Sequence, residues 1–516
     1  MSSVSTHPST LPALIGAGAL KIANVGKVRS MYSFKKALLT IAPALQRLPF
    51  HIAAAASFVT ATIWFPVATD SIRNAASTIA HGAMSYYNGN VSGQPEMVGD
   101  LPDPYYWWQA GALWGAMLDY YHFTGDSSYN DVVIQALTAP VNTGPRHDYN
   151  PPEHFDELGN DDLGFWGFAV MAAAERNFPQ PDPSVPSWLT MALNIFNALS
   201  SRWDTTTCRG GVYWQVFASN PNGINYKNSV TNGGLFQLAA RIARATGQQG
   251  YADWAAKVWD WCIEIGLIGD RYTVYDGAHG SDDCREVNYV AFTYTTGIFL
   301  HGAAVMAEYT GEKQWADRAH KLLEAAAYFF DNNTLYEPAC EPNDSCNNDM
   351  KACFLKGYLA RFMWQSTYHL PSLLPQVKNL LEPSALAAAQ ACSGGENSVT
   401  CGQKWNMGGF DGRVGLGQQM CALETIQGLL IGESRSPLGD GEIDPARHAG
   451  WNGRRTAPTA PTNQSVFDPE EEVDVHNEGG HHDETSGGRT TIGGLASPSW
   501  IGVCAATLAG SCYILV

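Results

Sequence analysis

The stretch "LGNDDLGFWGFAVMAAAERNF", residues 158–178, carries the signal on which the fold turns. Phe165, Phe168, Ala169, Ala172 and Ala173 recur at the spacing of one helix face, which predicts a helix over 161–177. Asn160 or Asp161 stands where an N-cap belongs, and acid is favoured at that positive helix end. The same passage raises a chemical question. Two aspartates stand side by side, Gly159, Gly164 and Gly167 keep their surroundings open, and Phe165 and Trp166 supply a wall. Neighbouring residues on a helix point about 100° apart. Two carboxylates in a first turn can therefore flank one substrate from different directions, a geometry usable by a two-carboxylate glycosidase.

Outward from this stretch, apolar segments of helical period alternate with breaks rich in Gly, Pro and Asn. They predict helices near 71–87, 106–123, 128–138, 161–177, 186–202, 232–246, 249–266, 291–310, 313–330, 352–370, 373–391 and 417–431. Strand-like alternation is confined to short pieces, "GGVYWQVF" at 210–217 and "RYTVYDG" at 271–277. Twelve helices joined by turns suggest six helical hairpins closed in a ring, an all-α (α/α)6 barrel over residues 70–432. An open solenoid would require a repeat of fixed period, and the sequence has none.

The chain of 516 residues carries a formal net charge of −18. With no Lys and Arg clusters, this disfavours a nucleic-acid surface. Sixteen Trp and 22 Tyr suit both core packing and the flat faces of sugar rings. Eleven cysteines include Cys340, Cys346, Cys353, Cys392 and Cys401, without a CxxC pair or a His at ligand spacing, so disulfides and an oxidising compartment are expected. Sequons at Asn90, Asn332, Asn343 and Asn463 agree with passage through the secretory pathway.

The two ends differ from the middle. Residues 1–69 form an N-terminal extension in which the uncharged run 50–68 follows Lys35, Lys36 and Arg47 and reads as a late signal or signal-anchor segment. Met31 offers an alternative start. Residues 433–485, rich in Pro, Thr, Gly and acid, read as a disordered stalk. The segment "HNEGGHH" at 476–482 belongs to that stalk rather than to a metal site. Residues 486–516 show small residues at Ser486, Gly487 and Gly488, a polar spacer and a short apolar tail, the order of a GPI-attachment signal. A cell-surface protein held to the membrane by a GPI lipid is expected.

Several passages together resemble glycoside hydrolase family 76, closest to its fungal, GPI-anchored members. They are "LPDPYYWWQAGALWGAMLDYYHFTGD" (101–126), the opening stretch, "KNSVTNGGLFQLAARIARATG" (227–247), "YDGAHGSDDCREVNYVAFTYTTGIFLHGAA" (275–304), "FLKGYLARFM" (354–363) and "CGQKW" followed by "GLGQQMCALE". The likeness runs in order through roughly 70–432. It implies an (α/α)6 barrel and a retaining mechanism on α-1,6-linked mannose, with Asp161 as nucleophile and Asp162 as acid/base and no cofactor or metal. It also implies a transglycosidase that takes a GPI-anchor glycan as donor and wall glucan as acceptor; a secreted endo-α-1,6-mannanase and an inactive mannan-binding protein are the alternatives. Asp276, Trp107, Trp108, Trp214, Asn228 and Tyr294 fall on sugar-binding positions, although neighbouring Trp107 and Trp108 cannot share one face. Two departures from the family pattern stand out. Thr295 closes a Phe-Thr-Tyr-Thr run where many relatives have Asn, and Gln109 follows the Trp pair where an acid is common.

Overall fold

The computed structural model describes residues 69–90, 93–155, 158–217, 223–347 and 354–443. The late signal segment, the metal alternative at 476–482 and the GPI-attachment signal lie outside the described residues, as does most of the stalk. Twelve helices of nine residues or more occupy the described residues. They are α1 (Thr69–Met84), α2 (Trp107–Thr124), α3 (Asn130–Thr138), α4 (Asn160–Glu175), α5 (Trp188–Ser201) and α6 (Ser229–Thr246), then α7 (Gln249–Glu264), α8 (Thr293–Thr310), α9 (Lys313–Ala326), α10 (Leu355–His369), α11 (Leu374–Ala391) and α12 (Leu416–Gln427). Each expected helix is present.

The even-numbered helices form the inner ring: α2 touches α4, α4 touches α6, and so on round to α12, which returns to α2. Burial separates the two layers. In α6 every residue from Ser229 to Ala245 is buried, whereas α9 buries only Trp315, Ala319, Leu322, Leu323 and Ala326, a single stripe. Close approach within the ring depends on small residues; a Cβ on Gly297 of α8 would lie 2.9 Å from the Leu359 Cα of α10.

Loop lengths are asymmetric. Inner helices lead to the next outer helix through brief turns such as 247–248 and 311–312, while outer helices reach the next inner helix through the long segments 202–228, 265–292 and 327–354. All the long segments therefore gather at the rim where the inner helices begin. Disulfides reinforce them: Cys208–Cys284 joins two rim loops, and Cys340–Cys346 and Cys392–Cys401 each close one. Cys262 and Cys421 are buried thiols, and Cys353 lies outside the described residues. A small antiparallel sheet, β1 (Tyr226–Asn228), β2 (Gly277–His279) and β3 (Val287–Asn288), sits on this rim, and a hairpin, β4 (Phe330–Asp331) and β5 (Thr334–Leu335), on another of its loops.

The expected strand at 210–217 is reduced to one bridge, Gln215 to Gly159. Its donors are taken elsewhere: Val212 N–H by Asn232 Oδ1 at 2.9 Å and Trp214 N–H by Tyr226 O at 2.7 Å. The expected strand at 271–277 shifts to 277–279. Residues 433–443, expected in the stalk, pack on the barrel instead. Arg244 donates to Pro437 O at 2.6 Å and Leu438 O at 2.9 Å, and Leu438 N–H donates to Glu175 O.

Away from the rim the barrel interior is ionic. Asp119 of α2, fully buried, accepts from Arg361 Nε of α10 at 2.8 Å and Gln365 Nε2 at 2.6 Å, and it meets Arg176 just past α4. Arg241 of α6 binds Glu175 of α4 at 2.7 Å, and Glu424 of α12 stands 3.7 Å from Arg361. Three acids thus meet three arginines. Burial pushes Arg176 down to about 9, which leaves it charged at neutral pH.

Truncating one partner of a buried pair leaves the others uncompensated and costs on the order of 3–5 kcal/mol. Asp119→Ala should lower the denaturant midpoint accordingly, and Asp119→Asn should lower it less. An unchanged midpoint in the alanine variant contradicts a structural role for this cluster.

Candidate active site

The first turns of the inner helices converge at the rim. Trp108 of α2 stacks on Phe165 of α4 at 4.4 Å, Phe165 parallels Tyr294 of α8 at 6.5 Å, and Phe354 at the start of α10 meets Trp108 at 5.5 Å. Several positive helix ends therefore face one space, which favours ionised carboxylates there.

Asp161 and Asp162 stand in this space. Gly159, in extended backbone at φ −104° and ψ 159°, is the N-cap of α4, and its N–H donates to Asp162 Oδ2 at 2.6 Å. Both carboxylates fold back over it: a Cβ on Gly159 would lie 2.4 Å from Asp161 Oδ1 and 3.2 Å from Asp162 Oδ2. Asp162 is 9% exposed and Asp161 half-buried. Asn160 fixes the platform. Its N–H donates to Trp214 O at 2.8 Å and its Nδ2 to Tyr213 O at 2.9 Å, while its Oδ1 accepts from Arg202 at 2.6 Å. Arg202 also holds Asn150 at 2.6 Å. Burial lowers its guanidinium to about 10, which leaves it protonated.

The two tryptophans part, as their spacing requires. Trp108 is part of the aromatic stack at the rim. Trp107 is 2% exposed, donates its indole N–H to Asn142 at 2.9 Å, and stacks on His154 and Trp166 in the wall between α2 and α4. Trp214, half-buried, holds Asn160 through its backbone and turns its ring toward Tyr226 at 6.5 Å. Asn228 is 4% exposed and caps α6 by accepting from Thr231 N–H at 3.2 Å.

Asp276, half-buried at the head of β2, accepts from Tyr226 Oη at 2.7 Å and Asn288 Nδ2 at 3.0 Å. Burial raises its pKa and those two donors oppose the rise. Its carbonyl accepts from Ser229 N–H at 2.7 Å, which ties it to the start of α6. Tyr294 links these groups. Burial, then the charges of Asp276, Asp161 and Glu337, hold its phenol well above the ordinary value. Both departures have local partners: Thr295 donates to Phe292 O at 3.1 Å, and Gln109 Oε1 accepts from Tyr106 N–H at 2.8 Å.

Two groups escaped the sequence reading. Arg202 supports the aspartates from 42 residues away. Glu337, 1% exposed, accepts from Thr293 N–H at 3.1 Å and Thr293 Oγ1 at 2.5 Å, and burial pushes it up to about 7. Neither lies in a motif, and each acts on a helix distant in sequence, so local pattern carried no signal for them. What the site assembles is two adjacent carboxylates on a rigid base, a third acid that shares the neighbourhood of Tyr294 with Asp161, and stacked aromatic faces: acids able to attack and protonate a bond beside surfaces that suit a flat-faced substrate.

Comparison with known proteins agrees with this chemistry. Residues 71–440 match glycosyl hydrolase family 76. Mannan endo-1,6-alpha-mannosidase DCW1 of Candida glabrata is 45% identical over 359 residues, 69% of this chain and 79% of that protein. The crystal structure of Dfg5 from Chaetomium thermophilum in complex with glucosamine is similar at TM-score 0.69 and 36% identity, covering 75% of this chain and 97% of that one. An inactive variant of the α-1,6-mannanase GH76A of Salegentibacter sp. HEL1_6 carries asparagine at two consecutive aspartate positions and holds α-1,6-mannotriose. It shares the fold at TM-score 0.55 and 19% identity, over 70% of this chain and 99% of that one. By the extent of the family match and the level of these identities, the chain belongs to glycosyl hydrolase family 76.

Proposed function

We propose that the protein is a retaining α-mannosidase-type enzyme acting on α-1,6-linked mannose, with Asp161 as nucleophile and Asp162 as acid/base. The observation that carries this reading is the consecutive aspartate pair folded over Gly159 at the first turn of an inner helix, walled by Trp108 and Phe165. The relatives named as mannan endo-1,6-alpha-mannosidases, and the mannanase inactivated at two consecutive aspartates, support it. In the first step a carboxylate oxygen of Asp161 attacks the anomeric carbon, the glycosidic bond breaks, and the departing oxygen takes a proton from Asp162. In the second step Asp162 accepts a proton from the incoming hydroxyl, which displaces Asp161 and restores both groups. Gly159 N–H donates to Asp162 Oδ2, which holds this carboxyl at the start of α4. Asp276, Trp108, Trp214 and Tyr294 bind the sugar, and Trp107 and Asn228 act on it through the walls they hold.

The incoming hydroxyl belongs to a sugar rather than to water. In this reading the donor is the glycan of a GPI anchor, the acceptor is wall glucan, and the enzyme works at the cell surface, tethered by a GPI lipid added near Ser486, Gly487 or Gly488. The small-residue, spacer and apolar-tail order of 486–516 supports the tether, since a tethered enzyme meets the anchors of its neighbours.

Asp162→Asn should lower turnover of an α-1,6-mannoside by about 10²–10⁴-fold, the usual worth of general acid catalysis. It should retain more activity on a donor with a good leaving group, and azide should restore turnover. Asp161→Asn should form no glycosyl-enzyme. If both variants keep wild-type rates, the aspartates only cap α4. A separate incubation of an α-1,6-mannosyl donor with excess oligoglucan, read by mass spectrometry, should give more transfer product than free mannoside. Free mannoside alone would favour a hydrolytic mannanase.

A further inference from the structure

Two of the sequons lie wholly within the described residues, Asn332–Thr334 and Asn343–Ser345, and the fold treats them differently. Asn332 and Asn333 are the two turn residues of the hairpin, in which Asp331 pairs with Thr334 and Phe330 with Leu335. Both have positive φ, 48° and 61°, as a type I′ turn requires. Below the turn the hairpin is pinned to α11: Ser384 Oγ accepts from Leu335 N–H at 3.0 Å and lies 3.2 Å from Asn333 O. Asn332 is exposed at the tip, and its Nδ2 donates to the neighbouring Asp331 Oδ1 at 3.1 Å.

Asn343 sits inside the loop closed by Cys340–Cys346. Its Oδ1 accepts from Ser345 N–H at 3.0 Å and from Ser345 Oγ at 2.7 Å, so the two side chains that a sequon must offer are bonded to each other. Asp344 between them is held by Arg413 at 2.7 Å and by Lys404.

The Asn332 turn also borders apolar surface. Tyr328, two residues before β4, is 60% exposed. Met407 is 64% exposed and follows Asn406, which donates to Asp331 Oδ2 at 3.3 Å. They are two of the three most exposed large apolar side chains among the described residues. A bulky, solubilising group on Asn332 would start beside both.

We infer that Asn332 is a modification site carrying an N-linked oligosaccharide that shields Tyr328 and Met407, and that Asn343 stays unmodified. The Asn332 amide nitrogen attacks the anomeric carbon of a lipid-pyrophosphate-linked oligosaccharide. The N–C bond forms as the bond from that carbon to the phosphate oxygen breaks; the lipid pyrophosphate leaves with the electron pair, and the amide gives up one proton. Thr334 supplies the hydroxyl by which the transferase selects the site. Closure of the Cys340–Cys346 loop turns the same groups of Asn343 and Ser345 on each other. The inference rests on the proposed cell-surface placement, since that transferase is met on the secretory route.

The test uses the full chain purified from fungal cells. Peptide-N-glycosidase in heavy-oxygen water turns each glycosylated asparagine into a labelled aspartate, and the peptides are mapped without reduction. Asn332 should be labelled in most chains and Asn343 in few. Thr334→Val leaves the asparagine that the positive φ favours and keeps a β-branched strand residue, but lacks the hydroxyl. It should lose the Asn332 label, migrate faster by one glycan, and begin to scatter light at a lower temperature on heating. Thr334→Ser should match wild type in all three. A bare Asn332 in chains whose Cys208–Cys284 bond is formed overturns the inference, as does equal labelling of Asn343. An unchanged scattering onset in Thr334→Val overturns the shielding. If Cys208 and Cys284 are found reduced, the chain has not travelled the secretory route; the cell-surface placement then fails, and the inference with it.

Discussion

The common direction of the six inner helices is the constraint on which the rest of the structure depends. Each hairpin returns the chain through an outer helix, so every inner helix starts at the same rim. One electrostatic consequence follows from the helix dipoles. The rim gathers positive ends, where Asp161, Asp162 and Asp276 stand. The interior below gathers groups that must neutralise one another, and there Asp119, Glu175 and Glu424 meet Arg176, Arg241 and Arg361. The same direction puts every long loop at one end, so the disulfides and the small sheet stiffen the rim that carries the chemistry.

Capping and the proposed catalysis are compatible at Asp161-Asp162. The Gly159 N–H that Asp162 accepts is one of the orphan donors of a helix start, and satisfying it fixes the carboxyl that the proposed reaction uses. Asn160 completes the arrangement by spending its own side chain on Arg202 and the Tyr213 carbonyl rather than on the helix. In the proposed reaction three consecutive residues thereby divide anchoring, attack and proton transfer among them, with Gly159 leaving the room they need.

Legibility in the sequence followed the range of the interaction. The helices were readable because each has its own period and is bounded by its own Gly, Pro or Asn breaks. The aspartate pair was readable because its members are adjacent, but its cap was not: the N-cap is Gly159 rather than Asn160 or Asp161, because the Asn160 side chain is taken by Arg202 and the Tyr213 carbonyl. The Trp107–Trp108 pair was half-readable, since helical geometry says that the two rings diverge but not which one meets the rim. Arg202, Glu337, the Cys208–Cys284 bond and the ionic interior were not readable, because each joins segments whose proximity only ring closure creates. The strand expected at 210–217 failed for a related reason: its donors are claimed by β1 and by Asn232, partners that no local alternation reveals.

The identity of the attacking atom tests the proposed mechanism most directly. A 2-fluoro-α-mannosyl donor with a good leaving group should trap the intermediate on the wild-type enzyme, and peptide mapping should place the sugar on Asp161. A label on Asp162 or Asp276, or turnover to an inverted product with no label, would contradict it.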